Sequence, residues 1–480
     1  MNNRIIIAAA CAALIASSCR DNSGIYDIRD FGAEPGSAEL STVPIQKAVD
    51  RCGADGGGTV VIPRGDWTVG TINLRTNVEL HLSKGARLVA STDLSAYQRH
   101  NDELAGIIYT EDSDNVSVTG PGEIFGRGME FMYADSAKTI SGPVLDHVRQ
   151  GGGLRKVTDG GIGDGPVHPK DRFHQMVVFS NCTNVTLKDF KCVDSPYWCF
   201  LIVHCDGVQV SGLRIDNNLN IPNSDGLDII SSSNVNVSDC NISCGDDAIV
   251  LAGYKWHFGD PGFRNILRPV RNINVSNCIL RSRSSAIRIG GWDQNPMSDM
   301  NLSNINIYDS NCGIGICIRD HAGLSNVNFN NFTIRTRLHT GDWWGNGEPV
   351  KITAIRDRDS VPGAVRNITF SNFVTEGENS IIVYASPEST VENITFHNFD
   401  FTLRQSRIEE SAGGNYDFRP SSVPDREFFA VDMEPVFYAE NVDGLTLSNG
   451  RFHLAGEVTV PYMRNGFIVK NVRNFHNDRP

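Results

Sequence analysis

The stretch NSDGLDIISSSNVNVSDCNISCGDDAIVL, residues 223–251, decides how this chain folds. Two short, mostly apolar runs, 227–230 and 249–251, flank the phrase N-V-N-V-S-D-C at Asn234, where aliphatic and polar residues alternate with a period of two. Asn, Gly and Ser stand where the backbone has to turn. Asp225 precedes the first run and Asp246-Asp247 the second. The interval between them is about one turn of a stacked-strand solenoid, so one turn sets these carboxylates beside each other.

Working outward, the same phrase returns. It reads N-V-T-L-K-D-F at Asn184, G-V-Q-V-S-G-L at Gly207, N-I-N-V-S-N-C at Asn272 and M-N-L-S-N-I at Met300. It continues as N-V-N-F-N-N-F at Asn326, N-I-T-F-S-N-F at Asn367 and N-I-T-F-H-N-F at Asn393, with weaker copies at Asn77, Asn115 and Gly444. Starts are mostly 23 to 27 residues apart, with gaps of 38 and 41 where loops intrude. A unit of that length, with short strands and no helix, cannot bury its apolar face alone. Stacked on its neighbours it forms an all-β parallel β-helix with one continuous core. Residues 26–475 are expected to form this single domain. An amphipathic segment at 42–52, with Pro44 early and Ile45, Ala48 and Val49 on one face, is expected to cap the open end as a short helix.

A chain of 480 residues exceeds what one compact core normally holds, and a solenoid escapes that limit by growing along an axis. The formal net charge of −13 argues against nucleic acid as a partner, because phosphate recognition needs a basic face. The first residues read as an export leader: Arg4, an apolar run at 5–15, then Ala16-Ser17-Ser18 before Cys19. The small residues before Cys19 favour a lipoprotein-type leader over residues 1–18, with Cys19 first in the mature chain. This predicts an exported bacterial protein, periplasmic or anchored to the outer membrane, and expected to be a monomer. Ten cysteines follow Cys19 without the paired spacing of a zinc site, so neither a metal nor a cofactor is expected.

Setting the strands in register by their apolar alternation stacks Leu227, Ile249, Ile287 and Ile316. One column then reads Asp225, Asp247, Ser285, Ile314, and the outward column Asp228, Val250, Arg288, Cys317. An Asp in a turn usually satisfies nearby backbone. Three together are different: like charges this close cannot all ionise, which leaves a proton donor and a base in one site. Asp225, Asp246 and Asp247 are therefore the candidate catalytic residues.

N-S-D-G at Asn223, G-D-D at Gly245 and S-P-Y-W at Ser195 resemble the signature of the family 28 glycoside hydrolases, the polygalacturonase family. Y-D-I-R-D-F-G-A at Tyr26 and G-G-G-T-V-V-I-P at Gly56 are similar to its N-terminal coil. The resemblance covers most of the chain and is most specific between Arg172 and Ile289. It implies a right-handed β-helix and single-displacement hydrolysis with inversion, Asp246 protonating the leaving oxygen while Asp225 and Asp247 activate water. Two family positions differ. Ser284-Ser285-Ala286 stands where the family carries G-H-G, and Cys317-Ile318-Arg319 where it carries R-I-K, so the substrate is expected to differ from plain polygalacturonate.

Six Arg residues and no acid mark the 261–292 segment, which suits an acidic, uronate-containing polysaccharide or oligosaccharide. The candidate substrate-binding residues are Asn223, Arg288, Arg319, His257 and Trp343. His257 lies in the loop directly after the G-D-D strand, overhanging the same groove, and is a candidate for the missing imidazole, as is His321. The loops at 127–171 and 404–436 favour exo action on short chains. Two other readings compete: a Ca²⁺-dependent polysaccharide lyase, and a glycan-binding β-helix without catalysis.

Overall fold

The computed structural model describes residues 24–138, 162–291, 295–356, 360–408, 435–456 and 466–478, and the backbone of the short strands Val148–Arg149, Gly153–Arg155 and Tyr416–Asp417. The leader and Cys19 lie outside these residues. The described chain winds into a single-stranded right-handed parallel β-helix. Its register follows the repeat phrase. Val185 pairs with Val208, Val208 with Val235, Val235 with Ile273, and Ile273 with Met300, all in parallel strands. These side chains are buried, so each rung adds one apolar residue to a continuous core. Farther along, Phe329, Phe370 and Phe396 stack with centroids 4.8 and 4.6 Å apart, the spacing of adjacent strands.

The repeated Asn has two tasks. Asn184, Asn234, Asn272, Asn326, Asn367 and Asn393 all adopt left-handed φ between 53° and 59°, a region Asn tolerates better than most residues. Their amides also bond from rung to rung: Asn272 Nδ2 donates to Asn234 Oδ1 at 2.8 Å, and Asn393 Nδ2 to Asn367 Oδ1 at 3.1 Å. Helix Thr42–Ala54 covers the N-terminal end and buries Ile45, Ala48, Val49 and Cys52 against the first rungs. The ten cysteines after Cys19 are all free, and nine are buried.

One wall of the helix carries the turns singled out above. Its strands include Leu227–Ile230, Ile249–Ala252, Ser285–Gly291, Cys312–Ile318 and Val350–Ala354, paired in that order. An inserted ribbon, Met132–Ala137 antiparallel to Val167–Pro169, lies beside it. The backbone of Gly153–Arg155 pairs with Gly341–Trp343, linking that insertion to a later one.

Candidate active site

The N–H of Gly226 donates to Asp247 O at 2.9 Å, and that of Ala248 to Ser285 O at 2.9 Å, so Asp225, Asp247 and Ser285 occupy successive rungs. One carboxylate oxygen from each of Asp225, Asp246 and Asp247 lies within 4.8 Å of the other two, and all three residues are buried. Both turn glycines are demanded by packing. A Cβ on Gly226 would sit 2.4 Å from Ala248 O, and one on Gly245 would sit 2.4 Å from Ile221 O.

Short polar side chains fix the turns. Ser224 Oγ accepts from the Gly245 N–H at 3.0 Å, tying the N-S-D-G turn to G-D-D. Asn217 accepts from the Ser195 N–H at 3.0 Å and donates to Ser224 O at 3.1 Å, tying S-P-Y-W to the same turn. Asp246 accepts from the N–H of Asn223 at 3.2 Å and of Asp247 at 3.0 Å. Asp247 accepts from the Ser285 N–H at 2.8 Å and from Arg288 Nη1 at 3.1 Å. The two neighbouring carboxyls are therefore held in different environments, an arrangement that can supply both an acid and a base.

Burial, then the charge of Asp247, pushes the Asp246 carboxyl up to about 6. Burial and the surrounding carboxylates push Asp225 well above the usual range, with Arg288 opposing. Asp228, one rung from Val250 on the outward face, is raised in the same way. Neither of its oxygens has a hydrogen-bond partner among the described residues.

Arg288 and Arg319 line one pocket with Asp247, Ser285, Cys317 and Lys351. The expected stacking needs one correction here. Ile287 pairs with Ile314, not Ile316, and Arg288 with Gly315, not Cys317; Ser285 pairs with Cys312, not Ile314. A shift of two residues leaves every side chain on its original face, so apolar alternation alone does not distinguish the two registers. Lys351 thereby becomes the next outward cation after Arg288, beyond Gly315, and it is ion-paired with Glu348.

Asn223 acts on Asp246 through its backbone, while its side-chain oxygen accepts from Arg172 Nη2 at 3.3 Å. Arg172 was not among the sequence candidates. Its half-buried guanidinium also donates to Pro222 O at 3.0 Å and lies 4.8 Å from the Tyr197 ring centroid. No repeat position marks it, since its partners come from separate turns.

Two candidates do not line that pocket. His257 is buried, with Nδ1 2.6 Å from Asp260 Oδ2 and its ring 4.7 Å from that of Trp198. The loop after G-D-D folds back over earlier rungs, which places His257 in an aromatic cluster with Trp198, Tyr254 and Phe263. Trp343 is also buried, its Nε1 donating to Asp164 O at 3.0 Å, so it anchors the inserted segment. Trp344 is the exposed member of the pair, lines the pocket, and has Arg288 5.8 Å from its ring centroid.

The family model described as Glycosyl hydrolases family 28 matches residues 52–400. An exopolygalacturonase of Zea mays is 23% identical over 309 residues, spanning 60% of this chain and 68% of the relative. A probable polygalacturonase of Vitis vinifera is 25% identical over 322 residues, 63% of this chain; the chain spans only 58% of that relative's length. The structure of a family 28 exopolygalacturonase from Yersinia enterocolitica superposes with a TM-score of 0.68 at 18% identity, covering 95% of this chain and 79% of the other.

Proposed function

The chain belongs to the family 28 glycosyl hydrolases, and from that premise we propose that it hydrolyses a glycosidic bond in an acidic pectic or related oligosaccharide by acid–base catalysis. The observation that carries this reading is the pairing of unlike environments at Asp246 and Asp247. Asp246 is buried with its carboxyl raised to about 6, and Asp247 faces the Arg288 guanidinium at 3.1 Å. Asp246 protonates the leaving oxygen. Asp247, with Asp225 beside it, draws a proton from the water whose oxygen joins the anomeric carbon. The proton given by Asp246 is thus matched by the one taken from water.

Arg288, Arg319 and Lys351 support an acidic sugar, because all three cations line the pocket that begins at Asp247. Trp344 offers an exposed ring at the same rim. Asn223 and Arg172 position Asp246 instead of holding the sugar, and Ser285 holds Asp247 where the family carries an imidazole.

Fragments of galacturonan and rhamnogalacturonan, assayed for new reducing ends with and without chelator, test the reading. Hydrolysis gives reducing ends without ultraviolet absorbance, survives chelator, and disappears in Asp246→Asn. An unsaturated, ultraviolet-absorbing product that needs a divalent cation would instead establish a lyase. Export with lipid attachment at Cys19 belongs to the same proposal. A mature chain beginning at residue 19 and carrying a fatty acid supports it; an unprocessed N-terminus in the producing cell overturns it.

A further inference from the structure

One outward-facing position recurs on every rung of the site-bearing wall, and its character changes abruptly along the helix. On the earlier rungs it is filled by Tyr109, Val178, Leu201 and, beyond Asp228, Val250. All are buried, although none belongs to the interior core. The next three rungs carry Arg288, Gly315 and Lys351. After them the position is apolar and buried again, at Ile382 and Tyr438, which cluster with Ile355.

Apolar side chains on the outside of a solenoid wall are stable only when covered. On the earlier rungs the cover is residues 254–269 together with Ala105, Tyr197 and Trp198, and His100 stacks on Tyr109 with ring centroids 3.6 Å apart. Tyr254 and Phe263 pack into the cluster with Val178, Leu201 and Val250. The segment is fastened along its length. Ser180 Oγ donates to Gly262 O at 2.6 Å, Asn101 Nδ2 to Asp260 O at 2.7 Å, and Arg264 pairs with Asp112 at 2.7 Å. At its centre, buried Asp260 lies between His174 Nδ1 at 2.5 Å and His257 Nδ1 at 2.6 Å. From the Val250 rung back to the Tyr109 rung is four steps, about 19 Å of covered wall.

The three carboxylates stand at the edge of that cover. The charged window beyond them is only two rung steps long, about 10 Å. Trp344 and Arg319 rim it. We infer that the site is a dead-end pocket, in which the 254–269 segment stops a glycan beside the Asp225–Asp246–Asp247 cluster, so that the enzyme removes short units from a chain end and does not cut interior bonds. The inference rests on the hydrolase reading above and names the mode of action of that same site.

The test uses the full-length parent protein and a ladder of galacturonan and rhamnogalacturonan oligosaccharides of graded length, each tagged at the reducing end. Products are separated after a small fraction of the substrate is consumed. A dead-end pocket gives one terminal product of constant size from every chain length, and polymer viscosity falls only slowly as reducing ends accumulate. A spread of internal fragments, with viscosity collapsing early, overturns the pocket while leaving the hydrolase reading in place. Absence of hydrolysis across the ladder and polymers overturns the hydrolase reading and this inference with it.

Discussion

Arg288 Nη1 lies 3.1 Å from Asp247 Oδ2, with the guanidinium reaching back one rung to the turn that carries the carboxylate. Both groups are largely shielded from water, where an ion pair is screened far less than at the surface. Arg288→Ala removes the cation facing Asp247 and one of three from the pocket. Its kcat/KM should fall roughly 100-fold or more, in the range seen when a preorganised charged partner is lost. Arg288→Lys keeps the charge but not the fork geometry, so its loss should be smaller. Equal activity in Arg288→Ala and the parent would remove Asp247 from the mechanism as described.

Asp246 must be protonated to act as the acid, and its carboxyl sits at about 6. The parent's kcat/KM should therefore decline as pH rises through about 6. Asp246→Asn should lose roughly 100- to 10,000-fold on a natural glycan. On an aryl glycoside whose leaving group needs no proton, the loss should be much smaller and the decline near pH 6 should vanish. A full loss on both substrates would assign Asp246 to another role.

Asp225, Asp228 and Asp246 are all raised by burial first and by neighbouring carboxylates second, or by Asp247 in the case of Asp246. A carboxyl raised on folding contributes stability that is complete below its unfolded value and is lost as pH climbs through its folded value. For Asp246, the rise from 3.8 to about 6 corresponds to roughly 3 kcal/mol lost by the time it is fully ionised. Asp228→Asn removes one such group without touching the acid. Its Tm should exceed the parent's at pH 8 and match it near pH 4. A variant less stable than the parent at pH 8 would refute the sign.

The repeat phrase made the solenoid legible because its period of two and its turn residues express the same constraint at every rung. Asp225 and Asp247 were placed on neighbouring rungs by the same alternation. Lys351 was not, because a long insertion precedes it and a two-residue slip at Ile314 leaves the alternation unchanged. Arg172, Asp260 and the cover at 254–269 were invisible for a different reason. Their partners, such as Pro222, His174 and Ser180, come from turns far away in sequence, and no local period encodes such contacts. The Asn ladder was half legible: the turn was readable from the residue type, the rung-to-rung amide bond was not.

The two adjacent tryptophans should separate stability from binding. Trp343 is buried and bonded to Asp164 O, so Trp343→Ala should cost about 3–5 kcal/mol and lower the Tm markedly. Trp344 is 41% exposed at the pocket rim, so Trp344→Ala should leave the Tm nearly unchanged. If its ring carries roughly 1 kcal/mol of sugar contact, KM should rise about fivefold. Thermal melts alongside Michaelis kinetics on the best oligosaccharide would decide, and the reverse pattern would return Trp343 to the pocket.

The stereochemistry of hydrolysis is the sharpest remaining test of how the three carboxylates divide the work. Their nearest oxygens lie within 4.8 Å, closer than the roughly 6.5–9.5 Å usual between the carboxyls of inverting enzymes and nearer the roughly 5–5.5 Å of retaining ones. Separation alone therefore favours a covalent intermediate. The bonding at Asp247 argues the other way. One oxygen accepts the Ser285 N–H at 2.8 Å and the other faces Arg288 at 3.1 Å, so both are engaged in charge-stabilising bonds that weaken a nucleophile. Asp225, raised by burial, is poised to keep or take a proton and not to attack carbon. Water activation with inversion is the expected outcome. Proton NMR of the first-formed sugar should show the anomer opposite to that of the substrate before mutarotation. Retained configuration, or a trapped glycosyl ester on Asp225 or Asp247, would replace single displacement with a two-step mechanism on the same three residues.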